Sequence, residues 1–194
     1  FTMIDVQLYR GRSLDVIAQV ETLDPFARAI TGDYSVFTCA STMVETAERL
    51  TQDDGDLDTT ESPQQYLLLY GALAALARRR HAPGLVLDSY LLRALALAGW
   101  AASCYDCARC GASGPHAAFH VQAGGAVCAG CRPAGAVDVE PGTMALLGAL
   151  LSGDWGVADV SAERDRAQAS GIVSAYLTWH LERRLRSLSL VERA

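Results

Sequence analysis

Two Cys-x-x-Cys pairs constrain this chain more than anything else in it: Cys107-Ala108-Arg109-Cys110-Gly111 and, after seventeen intervening residues, Cys128-Ala129-Gly130-Cys131. Such a turn aims two thiolates at one point, and a short loop can bring two such points together into a tetrahedral metal site. Gly111, Gly124 and Gly125 lie where a knuckle demands positive φ or close backbone approach. Four thiolates leave no open coordination position, so the expected cofactor is a structural Zn2+ held by Cys107, Cys110, Cys128 and Cys131. Two disulfides are the competing arrangement, but neither a signal peptide nor a cysteine-dense composition points to an oxidising compartment.

The other cysteines fit around that site. Cys104 and Cys107 form an overlapping C-x-x-C, which keeps Cys104 open as a substitute ligand. Cys107 with Cys110 is preferred because a glycine follows Cys110 directly. Cys39, in the apolar stretch Val36–Ala40, reads as a small core residue. His116 and His120 are alternative ligands by chemistry, but their place inside the loop reads as a solvated tip. A thioredoxin-like redox role suits neither pair, since neither lies in a strand-then-helix setting.

Catalysis is hard to build here. A zinc deaminase needs H-x-E followed by P-C-x-x-C, whereas His120 is followed by Val121-Gln122 and Cys107 is preceded by Asp106. All sixteen basic residues are arginine, so no lysine exists for a phosphate loop. No nucleophile elbow occurs, and the chain is expected not to be an enzyme. No apolar run reaches the roughly 18–20 uncharged residues that span a bilayer, so no membrane is expected among its partners. The first residue is Phe1 and opens directly into a strand pattern, so the natural protein is expected to begin earlier.

Residues 1 to 21 read as a β-hairpin, with alternation through Ile4, Val6 and Leu8, a turn at Arg10–Ser13, and a return from Leu14 to Val20. A lone hairpin is marginal in water, so it is expected to belong to a larger sheet. Everything after Asp24-Pro25, apart from the cysteine loop, reads as helical. One stretch runs from Phe26 to about Leu50, interrupted near Gly32-Asp33. The helix from Pro63 to Arg80 is expected to turn Tyr66, Leu69, Tyr70, Leu73, Leu76 and Ala77 to one face. Leu85 to Trp100 is apolar almost all round, so it reads as the central helix. A short helix follows Glu140–Thr143, ending near Ser152–Asp154. The last helix is expected from about Ser161 to Leu188, with Ile172, Val173, Tyr176, Trp179 and Leu185 inward.

The formal charge is −6, but its distribution is uneven. Glu45, Glu48, Asp53, Asp54, Asp56, Asp58 and Glu61 face a single arginine, Arg49, and read as a solvated helix end running into a loop. Arginines cluster elsewhere: Arg10 and Arg12 at the hairpin tip, Arg78, Arg79 and Arg80 at a helix end, and Arg183, Arg184 and Arg186 near the C-terminus. Helix-dipole compensation or an ordinary solvated surface accounts for any one cluster. Together they are candidate contacts for polyanions, because a guanidinium binds phosphate bidentately and stacks on bases. Tyr9, beside Arg10, is a candidate stacking residue, with a place on the sheet face as the alternative.

The order of these features carries a resemblance. The strand segment Leu8-Tyr9-Arg10-Gly11-Arg12-Ser13-Leu14-Asp15-Val16-Ile17 precedes helices, which are interrupted by Cys107-x-x-Cys110-Gly111…Phe119…Gly124-Gly125-x-x-Cys128-x-x-Cys131. Pro141-Gly142-Thr143-Met144-Ala145-Leu146-Leu147, Tyr176-Leu177-Thr178-Trp179-His180-Leu181 and Leu185-Arg186-Ser187-Leu188 follow. Across essentially the whole chain this resembles the RecO family of bacterial recombination mediators and DNA repair proteins. The resemblance implies an α+β, mainly α fold: the C-terminal hairpin of an OB-fold barrel at residues 1–22, then a helical domain at 23–194 with an embedded zinc finger at 104–133. A complete barrel has about five strands, so most of it is expected to be missing here. The resemblance further implies binding of single- and double-stranded DNA, strand annealing, and recombinase loading with RecR and the acidic tail of single-stranded-DNA-binding protein. It implies a cytoplasmic, nucleoid-associated location. A zinc-stabilised scaffold for acidic protein tails, without DNA, is the alternative from another class, and a zinc hydrolase is a third.

Overall fold

A computed structural model describes residues 1–52, 61–181 and 185–191. Asp53, Asp54, Asp56 and Asp58 of the acidic block, with Arg183 and Arg184, lie outside the described residues.

The chain opens with the antiparallel hairpin β1 (Met3–Tyr9) and β2 (Val16–Asp24). The second strand starts at Val16 rather than Leu14 and ends at Asp24 rather than Val20. The register slips between Gln7 and Leu8 and again between Met3 and Ile4, leaving Ala18 and Leu23 without partners. Each extra residue bends the strand and reverses which face the following side chains take, so simple alternation does not describe β2. The hairpin meets the helices at its open end. Tyr70 Oη donates to Asp24 Oδ2 at 2.7 Å, Phe26 packs against Tyr70, and Phe1 stands edge-on to Phe37.

Helices α1 (Ala27–Thr31) and α2 (Tyr34–Gln52) break at Gly32-Asp33 as expected, and Asp33 Oδ1 accepts the Val36 N–H at 3.3 Å. α3 (Glu61–Ala77) and α4 (Pro83–Leu97) follow. Ten of the fifteen residues of α4 are buried, and it packs against α2, α3 and two later helices, α5 (Pro141–Ser152) and α7 (Glu163–His180). That is the central position its all-round apolar sequence predicts. Pro83 sits in its first turn, where a missing N–H costs nothing.

α3 turns Leu69, Tyr70, Leu73, Leu76 and Ala77 to the core as expected, and departs from the expectation at Tyr66. Gln65, Leu73, Ala74 and Leu76 are its most buried residues, while Tyr66 is 52% exposed. The buried Gln65 Nε2 donates to Ala94 O of α4 at 2.9 Å. A helix rich in leucine and alanine on every side offers periodicity no single face to choose.

α5 ends at Gly153, whose φ of 81° supplies a left-handed cap, and a further short helix, α6 (Trp155–Ala158), starts on the Asp154 side chain. Sequence patterning missed α6. α7 ends at His180 and does not continue to Leu188. Its inward face is Ile172, Val173, Tyr176 and Leu177; Trp179, expected inward, is 50% exposed. Leu185 is buried, and residues Ser187–Leu190 form a 3-10 turn packed on α2.

Glu45 anchors that turn. Its Oε1 accepts the Arg186 N–H at 2.9 Å, and its Oε2 accepts the Ser187 N–H at 2.9 Å and the Ser187 hydroxyl. Burial pushes the Glu45 carboxyl up, but the Ser187 and Arg186 donors outweigh it and hold the pKa below the ordinary value. The expected solvated acidic face is therefore not what Glu45 belongs to.

The cysteine loop carries a small sheet that sequence reading did not foresee: β3 (Ala118–His120), β4 (Gly125–Ala126) and β5 (Val137–Asp138), antiparallel in the order β4-β3-β5. The described chain is thus mainly helical with two small antiparallel sheets. None of its described helices is long and apolar enough to cross a membrane.

Candidate metal centre and arginine surfaces

The cysteine pairs arrive from two arms that the backbone clamps together. Ser103 N–H donates to Gly124 O at 2.9 Å and Ala126 N–H to Ser103 O at 2.7 Å, while Ala108 N–H reaches Ala126 O at 2.8 Å. Gly125 lies at the closest approach with φ 149°; a Cβ there would meet Ser103 O at 2.2 Å and Ser103 N at 2.7 Å. This is a glycine position for two independent reasons, conformation and space. Each C-x-x-C pair closes into a turn, through Gly111 N–H to Cys107 O at 2.8 Å and Cys131 N–H to Cys128 O at 3.1 Å. Cys107, Ala118 and Val127 form a small separate core beneath them. Phe119 stands edge-on to Tyr176 of α7, fixing the module to the helical body.

The outcome is a sulfur cluster. The Sγ atoms of Cys107, Cys110, Cys128 and Cys131 all lie within 4.8 Å of one another. Cys110 Sγ and Cys128 Sγ are 3.8 Å apart. A disulfide needs about 2.05 Å, whereas the edge of a tetrahedron with metal–sulfur bonds of about 2.3 Å is about 3.8 Å. The donor set and spacing therefore fit a four-thiolate divalent metal and do not fit paired disulfides.

Local electrostatics favour the first ionisation and oppose the last. The Cys128 N–H, 3.4 Å from Cys107 Sγ, is the largest influence lowering the Cys107 thiol to about 6, assisted by the Arg109 and Cys110 N–H groups. Cys131 is pushed up to about 12 by the neighbouring sulfurs of Cys110 and Cys128. Thiolates crowded this closely repel one another, and a divalent cation removes that penalty.

Cys104 takes no part. It is buried in the main core, and burial pushes its thiol up to about 11. Cys39 is a core residue, as its apolar neighbours predict. Neither histidine of the loop joins the cluster among the described residues, and neither is a free tip residue. His116 Nε2 lies 2.8 Å from Ala112 O, and His120 Nδ1 accepts the Ala123 N–H at 3.1 Å.

The expected arginine contacts fall into separate places. Arg10 and Arg12 are exposed at the hairpin tip, beside an exposed Tyr9. Arg78, Arg79 and Arg80 are exposed just beyond α3, but Arg79 adopts φ 48° and is held by Asp33 at 2.8 Å. That pairing keeps the Asp33 carboxyl below its usual range, and it makes Arg79 the least available of the three. Arg186 is exposed on the C-terminal segment.

Sequence clustering also missed polar groups that the fold brings beside Arg80. Arg93 and His81 line, with Arg80, a cleft of about 710 Å³ whose walls include Leu68, Ala72 and Trp155. His81 stacks on Trp155 at 3.8 Å between ring centres and pairs with Asp159 at 2.8 Å. Arg93 stands alone in an apolar helix, so it forms no cluster in the sequence.

The sequence matches the family model described as "Recombination protein O C terminal" over residues 31–189. Among curated proteins, "DNA repair protein RecO" of Thermobifida fusca (strain YX) is 53% identical over 194 residues, covering 100% of this chain and 78% of that protein. "DNA repair protein RecO" of Nocardioides sp. (strain ATCC BAA-499 / JS614) is 50% identical over 196 residues, covering 100% of this chain and 79% of its own length. With a family model matching most of its length and relatives this similar, the chain belongs to the RecO family.

Proposed function

We propose that this chain is a non-enzymatic mediator of recombinational DNA repair that binds single- and double-stranded DNA and promotes strand annealing and recombinase loading. The observation that carries this reading is the family match spanning residues 31–189. In this reading residues 1–22 are the last hairpin of an OB-fold domain, and residues 23–194 are a helical domain with a zinc finger at 104–133. The location is cytoplasmic and nucleoid-associated.

Cys107, Cys110, Cys128 and Cys131 would hold Zn2+, which supplies a closed, structural coordination with no position for a reacting water. The rest of the work falls to the chain's own side chains. Arg10, Arg12, Arg78, Arg80, Arg183, Arg184 and Arg186 neutralise phosphates and keep a single strand extended, with Arg79 contributing least because Asp33 already holds it. Annealing follows when two neutralised strands meet without mutual repulsion. RecR and the acidic tail of single-stranded-DNA-binding protein are the protein partners. The cleft carrying Arg80, His81 and Arg93 over apolar walls suits a tail that combines carboxylates with apolar side chains.

Fluorescence anisotropy with a labelled single strand tests the reading. Three phosphate contacts give a log–log salt slope near −2 and about a 20-fold loss of affinity between 50 and 200 mM salt. Strand binding that is absent at low salt, alongside tight binding of an acidic tail peptide, would favour a protein scaffold instead.

A further inference from the structure

A second and larger cleft, of about 1210 Å³, lies between the cysteine module and α7. One wall is built from residues 119–122 with Ala134, Gly135 and Val137, the other from α7 with Leu185, Leu188 and Ser189. Five lining residues carry rings: Trp100, Phe119, His120, Trp179 and His180. Trp100 is 38% exposed and Trp179 half exposed, although both are large apolar groups that would normally seek cover.

The rings are held in place. His180 stacks on Trp100 with centroids 5.0 Å apart and planes 19° from parallel. Tyr176 meets His180 edge-on at 4.5 Å and donates its hydroxyl to Trp100 O at 3.3 Å. His180 Nε2 is buried and makes no hydrogen bond among the described residues. Burial lowers the His180 pKa, which favours the neutral ring.

Charge narrows the occupant. Among the described residues no carboxylate lines the cleft, although the chain carries 22 acidic residues. Its polar lining includes Gln122, Thr178 and Ser189. The exposed Arg186 stands on the same segment as the lining residues Leu185 and Leu188. Flat exposed rings in a lining without a described carboxylate are features that hold unpaired bases, since every base has a face that can stack.

We propose that this cleft is a single-stranded nucleic-acid subsite, in which one or two unpaired bases stack on the exposed faces of Trp179 and Trp100, the latter backed by His180. The proposal rests on the DNA-binding reading above and adds to it a place where bases, not only phosphates, are felt.

The test compares the full chain with its Trp179→Ala and Trp179→Phe variants against three labelled probes: oligothymidylate, an abasic oligomer of equal length, and an acidic C-terminal peptide. Trp179 is half exposed, so neither variant should unfold the chain, and a melting curve checks this. Oligothymidylate should bind more tightly than the abasic strand. Trp179→Ala should weaken oligothymidylate roughly five- to 150-fold, the equivalent of ~1–3 kcal/mol per stacked base. Abasic binding should stay unchanged, and Trp179→Phe should restore most of the loss. Equal binding of the two strands by the unaltered chain, or equal loss of both in Trp179→Ala, overturns the subsite while leaving phosphate binding intact. Loss of peptide but not strand binding assigns the cleft to a protein partner and overturns it as well. Failure of every strand to bind removes the DNA reading and the subsite together.

Discussion

Replacing Gly125 with alanine should disrupt the cysteine module far more than the same change at its neighbour Gly124. Gly125 combines φ 149° with a Cβ position 2.2 Å from Ser103 O and 2.7 Å from Ser103 N. Holding alanine in such a region costs about 1–3 kcal/mol. Relieving the overlap requires the two arms to separate, which breaks Ser103 N–H to Gly124 O and Ala126 N–H to Ser103 O, each worth about 1 kcal/mol. The expected total is about 3–5 kcal/mol. Gly124 has φ 84° and no atom nearer to an added Cβ than Tyr176 Oη at 3.9 Å, so Gly124→Ala costs only the left-handed penalty of about 1–2 kcal/mol. Denaturant midpoints give both values, and a chromogenic zinc chelator reports the release rate from each variant. Gly125→Ala should release metal faster than Gly124→Ala. If the two variants match in midpoint and release rate, the clamp between the arms is not what positions the thiols.

Three further outcomes follow from particular contacts. Leu91 is fully buried in the central helix, and Leu91→Ala should cost about 3–5 kcal/mol in chemical denaturation. Glu45→Gln should loosen the C-terminal turn by about 1 kcal/mol, a low figure because the carboxylate is only partly buried. The folded pKa of Glu45 is lowered, so its contribution is complete above the ordinary 4.5 and disappears as pH falls through the lowered value. The difference in melting temperature between the native chain and Glu45→Gln should therefore be constant at neutral pH and shrink in acid. Replacing both Arg10 and Arg12 with alanine should reduce the salt slope of single-strand binding by about 1.4 if each meets one phosphate. Arg79→Ala should leave that slope nearly unchanged.

The sulfur cluster was legible because its information is local. Two thiols three positions apart form one turn, and Gly111, Gly124 and Gly125 take the positive φ that the pattern predicts. The central helix was legible too, since Leu85–Leu95 is apolar in every direction. The outward turn of Tyr66 on α3 and of Trp179 on α7 was not. Tyr66 and Trp179 sit on helices with apolar residues around much of the circumference, so either orientation satisfies the pattern. Strands of two or three residues, such as β4 and β5, are too short to show an alternation. The link from Glu45 to Ser187 joins residues 142 apart and leaves no trace in local sequence. Within the second cleft, Trp100 and His180 likewise come from distant segments, and only the folded chain stacks them.

X-ray absorption at the zinc edge of the purified, reduced chain tests the central claim most directly, namely that two thiol turns close around one structural metal. The account predicts one zinc per chain with four sulfur neighbours at about 2.3 Å and no nitrogen or oxygen in the shell. A coordination shell containing oxygen, or a metal-free protein with the cluster joined in disulfides, would contradict it.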